Sequence, residues 1–565
     1  MAVAGDITLS GNEVNIDGSR ISAETTSNAV LLADQIANIN IESKVSALNI
    51  TNSEIIASAT GDADAGNIAL KSLSEALNIE STTVESTSSS SASSTAGQAG
   101  TIDIFGQAIN FIGSIFNVET ASNNVDSNAI ANITLDGGNG AITLTKVTGG
   151  LSNQGISAST SGNVEAGSIS IKNASDITLD GVTLKSTSET VGSSGNAGSV
   201  TLVGIGAVNL LNNVSIETTT DSTGEAGQIN ITGASVTGSG VTIASASTKA
   251  NSGKAGAIDI TGETISFADG GQISTITNSD INNAEASITL DATAGTLTLT
   301  DTTIEGTTTG DANAGDINLY GQSYSQSGGQ VVTSSGKDLN EDELFDIDEV
   351  GSGNAGNITI AKSKTSDDPE TFEKLEAFSL INGGHIKAVT EGAGDAGGIT
   401  IHNAGSMTIA GTVDNLAEIS VAANDVTAGN AGSLILSGTD VLIDYAKIEA
   451  STESTANTDS ERVLTAASID ITATGRFELS NSEILASTTG GVAAGDVTLT
   501  AQNQALNIES TKVESTSEST SETAGQAGSI SVFGKAINFI GSLLNVETES
   551  DNTANNAIAD ITLDG

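Results

Sequence analysis

The chain has 565 residues, with 69 acidic side chains against 18 basic ones for a net charge of −51, 64 Gly, one Pro, no Cys and no Trp. Such an acidic surface repels nucleic acid, the missing Cys rules out a disulfide framework, and a chain without Trp lacks the usual platform on which sugars stack. No apolar run reaches the roughly 18 residues of a membrane span.

The first residues already carry a pattern. After Gly5 come Ile7 and Leu9, then Val14 and Ile16, then Ile21 and Ala23, each pair alternating with polar residues. Period-2 alternation in short bursts predicts short strands with one buried face, three to a coil. Residue 1 sits within this pattern, at the position that matches residue 428, and MAVAGDITL has neither a charged n-region nor a hydrophobic h-region. The expectation is that the native start lies upstream, so the missing leader says nothing about export.

An Ala-Gly-x-apolar-x-apolar marker opens each coil, at Gly5, Gly66, Gly100, Gly167, Gly198, Gly227, Gly256, Gly315, Gly356, Gly397, Gly432, Gly495 and Gly528. The gaps cluster near 30–35 residues, and two of the larger ones, 61 and 63, are about double that. A corner that needs positive φ would explain the Gly, and the Ala before it is small enough to face inward. Ser, Thr, Asn and Asp suit the other bends. A single Pro agrees with strands that are nearly all central and need their N–H groups. The prediction is an all-β fold, a parallel β-helix (β-solenoid) in which each strand pairs with its equivalents one coil above and below.

Further along, GDADAG with Asp62 and Asp64, and GDANAG with Asp311 and Asn313, set acidic groups before the corner Gly. Asx-turn chemistry accounts for them, so no site is assigned. Phe111 and Phe116 alternate with apolar neighbours and read as core fillers.

Two segments interrupt the coils, at about 321–350 and 361–380. The first ends in an acidic cluster in which Asp342, Asp346 and Asp348 are the calcium candidates. Its spacing fits neither the EF-hand loop nor the calcium-loaded nonapeptide repeat, and an exposed acidic loop without an ion is the plainer reading. In the second, Asp367 or Asp368 could cap a short helix with Pro369 in its first turn and Phe372, Leu375 and Phe378 on one face. The two inserts are expected to form one lateral bump per long unit, the best candidate for recognition.

The long unit is visible because residues 1–137 return as 428–565: ALNIESTTVEST from Ala76 reappears as ALNIESTKVEST from Ala505. The chain therefore reads as one complete unit, 1–427, and the beginning of the next. Tandem identical units are built for reach, which favours structure over catalysis.

An enzyme is not expected. Glycoside hydrolysis needs two carboxylates facing each other, and a lyase needs a base near substrate. The three Arg (Arg20, Arg462, Arg476) and two His (His385, His402) form no cluster in the sequence. Cofactors are not expected either, with calcium left as an alternative. At about 4.8 Å per coil, the 51 net charges would spread over a rod of about 90 Å, near the charge density of duplex DNA. The acidity keeps a Thr- and Ser-rich surface soluble; the alternative is lateral bundling of fibres through divalent cations.

The coils AGDITL, AGSISI and GNAGNITI, with Gly-Asn/Asp-Ala-Gly corners, resemble the filamentous-haemagglutinin-type exoproteins of Gram-negative bacteria, and most of all the long haemagglutinin-like repeat proteins of cyanobacteria. The resemblance implies a right-handed solenoid, secretion across the outer membrane, and service as a surface fibre or adhesin. Neighbouring copies joined end to end are the expected partners. The alternative function is an adhesin that holds a glycan or protein receptor through the 321–380 inserts, and a polysaccharide-degrading enzyme is the third.

Overall fold

The computed structural model describes residues 4–27, 36–89, 97–122, 131–189, 194–249, 252–279, 286–336, 352–362, 364–365, 368–424, 429–453, 466–518, 525–549 and 559–565, with backbone alone at 27 and at 364–372. They divide into two compact units, residues 1–262 with 271–273, and residues 263–270 with 274–565. Each is a parallel β-solenoid with about 31 residues and three strands per coil. No helix is present among the described residues.

One coil of the first unit shows the construction. Ile68–Ser72, Leu77–Glu80 and Thr83–Ser89 form its three strands. Each pairs in parallel with its equivalent above, Ile102–Phe105, Ile109–Ile112 and Ile115–Thr120. Alternation puts Ile68, Leu70, Leu77, Ile79 and Val84 inside, all essentially inaccessible. In the second unit the first two strands of several coils fuse into one, as in Ile288–Thr300 and Ile399–Ala410. The marker gaps of double length are explained by intervening coils with Ala at the corner: Ile7 pairs with Ile39, which follows Ala37 and Asn38, and Ile39 pairs with Ile68.

The corner glycines are needed for closeness, and this corrects the expectation of positive φ. Gly100, Gly198, Gly227 and Gly256 are absent from the residues with positive φ. A Cβ on Gly227 would lie 2.0 Å from the carbonyl oxygen of Gly198 one coil below, and one on Gly256 would lie 2.0 Å from that of Gly227. Backbones therefore stack directly at these glycines, where an added Cβ would meet the carbonyl of the coil below. Positive φ recurs instead at the corner between the second and third strands, at Gly18, Asn52, Ser81, Gly113, Gly181, Gly240, Asp301, Asn481, Ser510 and Gly541. Asn, Asp and Gly tolerate this left-handed region best.

The third strand supplies what the tight corner needs. Many of its inward hydroxyls are buried, and a recurring serine among them ties two coils together. Ser86 Oγ donates to Gly66 O at 2.9 Å and accepts from the Gly100 N–H at 2.8 Å. Ser186, Ser245 and Ser515 do the same between their own pairs of corner glycines. Buried backbone groups that no strand ladder reaches are satisfied in this way.

The predicted helix is not formed. Lys364–Thr365 and Asp368–Phe372 pair antiparallel, Leu375 is fully buried, and Phe378 belongs to strand Ala377–Ile381. Asp367 lies outside the described residues. The i, i+3, i+6 apolar spacing that suggested one helix face is here divided between a hairpin and a coil strand. Phe378 stacks on Tyr324 with ring centroids 5.4 Å apart. Of the first anticipated interruption, residues 321–335 continue regular strands, Ile317–Ser327 and Gln330–Ser335.

Candidate functional site

The side chains that the sequence singled out are distributed over different coils and faces. Asp342, Asp346, Asp348 and Arg462 lie outside the described residues. Among the described residues, no group of three or more His, Asp or Glu is placed to hold a metal ion. Residues 337–351 follow the third strand Gln330–Ser335, whereas 362–376 separate the first strand Ile358–Ala361 from the second strand Ala377–Ile381. The 362–376 excursion is fastened down: Lys362 pairs with Glu373 at 2.8 Å, and Lys374 Nζ donates to Thr439 Oγ1 at 2.9 Å.

The acidic corner motifs hold coils together. Asp64 Oδ1 accepts the Gln98 N–H at 2.8 Å, and Asn313 Oδ1 accepts the Asn354 N–H at 3.0 Å. Asp311 Oδ1 accepts both the N–H and the hydroxyl of Ser352, which keep its carboxyl below the ordinary range. Sequence reasoning placed these bonds within each turn; they run instead to the next coil. The residue after the corner Gly behaves alike, as when Asp6 Oδ1 accepts from Asn38 N–H, Asn38 Oδ1 from Asn67 N–H, and Asn67 Oδ1 from Thr101 N–H. On the second strands an asparagine ladder climbs outside: Asn49 Nδ2 donates to Asn15 Oδ1, Asn78 to Asn49 and Asn110 to Asn78, each at 2.7 Å.

The most structured charged surface lies on the third strands of the second unit. Along one outward column His385, Glu418, Lys447, Glu483 and Lys512 follow one another coil by coil. Glu418 accepts from His385 Nδ1 at 3.0 Å and Lys387 Nζ at 2.5 Å. Burial pushes its carboxyl up, but these two partners prevail and hold it down at about 2. Lys447 pairs with Glu449, and Lys512 with Glu514 at 2.6 Å. Beside this column is a shallow depression lined by Lys387, Glu418, Ser420, Glu449, Ser451 and Ser487. The second histidine, His402, sits half-buried on a different strand, where desolvation lowers its pKa. Arg20 bridges Glu24 and Glu54, and Arg476 pairs with Glu478. Phe111 and Phe116 are core residues, packed edge to face with centroids 4.6 Å apart.

One feature escaped the sequence reading. Between the strands Ile142–Thr145 and Gly155–Thr160 the chain makes an ordered excursion, 146–154. Gln154 is buried and its amide copies a strand partner: the Val147 N–H donates to Gln154 Oε1 at 2.6 Å, and Gln154 Nε2 donates to Val147 O at 2.9 Å and Leu151 O at 2.8 Å. A lone Gln in KVTGGLSNQG gives no periodic signal, so sequence patterning passes over it.

Comparison with family models, curated proteins and solved structures finds no match.

Proposed function

We propose that the chain is a segment of an extracellular structural fibre, built from tandem solenoid units and carried on a cell surface. The observation that carries this reading is the axial wiring. In the coils described above, ladder hydrogen bonds, corner carboxylates, the asparagine ladder and buried serines all bond up and down the coil axis. A load along that axis is therefore shared by many hydrogen bonds in parallel. Part of this wiring recurs in the second copy, where Ser515 bridges its corner glycines and Asn538 Nδ2 donates to Asn507 Oδ1 at 2.6 Å, as expected of a chain extended by adding units. The acidic surface keeps separate fibres apart, and divalent cations or salt would be needed to bring most of it together.

Electron microscopy of the native material tests this. Thin filaments with a lateral feature recurring about every 70 Å, the rise of some 14 coils, are expected; isolated globules would refute it. The haemagglutinin-like export route belongs to the same proposal, since the resemblance in the AGDITL and AGSISI coils is its support. An adhesive role for 321–380 is the second reading, favoured by the anchored excursion at 362–376. Deleting 363–373 would abolish attachment and spare filaments if that reading holds, and unchanged attachment would reject it.

A further inference from the structure

The depression on the third strands of the second unit is shaped by one coil whose outward side chains are short. Lys387, Ser420 and Glu449 face outward in register, and Val389, Ala422 and Ser451 do so beside them. Ser420 and Ala422, on strand Ala417–Ala423, therefore form the floor of a notch between taller neighbours, with a volume of about 280 Å³. That is close to the lower end of small-molecule sites, room for one group the size of a side chain.

Ser420 is 4% exposed, yet its hydroxyl has no hydrogen-bond partner among the described residues. Its register neighbours Lys387 and Glu449 both bond elsewhere: Lys387 Nζ donates to Glu418 at 2.5 Å, and Lys447 Nζ to Glu449 Oε2 at 2.5 Å. A hydroxyl that a fold buries is ordinarily paired. This one faces the depression that it lines.

The lining offers acceptors. Glu449 Oε1 has no partner among the described residues, and neither has the carboxylate of Glu453. Lys387, the one cationic side chain in the lining, is already given to Glu418. Glu418 is matched by Lys387 and Glu449 by Lys447, which leaves the charge of Glu453 uncompensated on a chain of net charge −51. Such a field draws in a cation. A guanidinium is best held by both oxygens of one carboxylate, and at Glu449 one of them is taken by Lys447. A primary ammonium brings three separate donors on a compact head, which suits single oxygens of a hydroxyl and a carboxylate.

We propose that this depression binds a primary ammonium group, with Ser420 Oγ and Glu449 Oε1 as its acceptors and Glu453 as the balancing charge. The group belongs to a free alkylamine or to a lysine side chain of another protein, and the two sources are separated below. The site does not depend on the fibre reading.

The test is ligand-observed NMR titration of the 565-residue chain, in physiological salt with a chelator present. The probes are n-butylammonium, N-acetyl-lysine methylamide and tetramethylammonium. Butylammonium should bind with a dissociation constant on the order of 1 mM, as a ligand of so few atoms allows. Tetramethylammonium has the same charge and no N–H donor, and should bind about 10-fold more weakly. Ser420→Val and Glu449→Gln should each weaken butylammonium by about 10-fold with unchanged circular dichroism spectra, whereas Glu217→Gln, which removes the same charge from the first unit, should change nothing. Equal affinity for the lysine derivative would make a protein side chain the occupant, and binding of butylammonium alone a free amine. Saturable binding of neither amine, equal binding of tetramethylammonium, or variants at 420 and 449 that bind as the parent does would overturn the proposal.

Discussion

Residues 1–137 and 428–565 are one sequence met twice, and the structure separates what that sequence settles alone from what its neighbours decide. Backbone conformation is local. Asn52 and Asn481 both have φ of 47°, Ser81 and Ser510 both 50°, and Gly113 and Gly541 take 59° and 61°. Ser86 and Ser515 bridge their corner glycines with the same two bonds, 2.9 and 2.8 Å. Burial follows the next coil. Phe111 is fully buried beneath Leu144, its register partner, whereas Phe539 in the second copy is 40% exposed. Ile133 is fully buried and its counterpart Ile561 is 45% exposed. In a solenoid, burial is a property of a pair of coils.

Surface charge is where the copies diverge. Thr83 is replaced by Lys512, which pairs with Glu514 at 2.6 Å. The equivalent Glu85 has no such lysine. Burial, then the charges of Glu54 and Glu119, push its carboxyl above the usual range, with Arg20 pulling weakly the other way.

Four sets of substitutions test how far each copy depends on its neighbouring coils, read by local hydrogen exchange because coils of a repeat array open separately. The largest effect is expected from Phe111→Ala, which should cost about 4 kcal/mol by leaving a core cavity, whereas Phe539→Ala should cost about 1 kcal/mol or less. Equal losses would show that burial does not depend on the covering coil. Next, Gly100→Val and Gly528→Val drive a Cβ towards carbonyl oxygens 2.3 and 2.4 Å away. Each should cost about 3 kcal/mol, and protection that is unchanged at Gly66 or Gly495 would show that the corner is looser than it looks.

Ser86→Ala and Ser515→Ala should each cost about 1–2 kcal/mol, since a buried N–H and a buried carbonyl lose their partner. The two values should agree, because that bridge is internal to each copy; a loss confined to one would contradict the local reading. The smallest effect concerns pH. The folded-state pKa of Glu85 lies above its unfolded value, so ionising it opposes folding. That penalty is absent below the ordinary carboxylate pKa and complete above the raised one, so stability here falls as pH rises through that window. Thr83→Lys should remove the fall, by less than about 1 kcal/mol at a half-exposed site, and an unaltered pH profile would deny the pairing.

Much of the architecture was legible in the sequence. The bursts Ile7/Leu9, Val14/Ile16 and Ile21/Ala23 report strands because inward and outward positions alternate regardless of what lies above. The meaning of the corner Gly was not legible: a need for positive φ and a need for room both select Gly, and only the distance from Gly227 to the coil below tells them apart. The buried Ser column was hidden because Ser86 looks like a surface residue in VESTSS. The 361–378 segment misled because Phe372, Leu375 and Phe378 mimic helical spacing while serving separate elements. The 146–154 excursion was missed since its order comes from one side chain, Gln154.

Diffraction from oriented native material asks whether the coils stack along the axis of the proposed fibre. A strong meridional reflection at about 4.8 Å, parallel to the fibre, is the result expected from coils stacked along it. The same spacing found on the equator would place the strand ladders across the fibre and contradict the account.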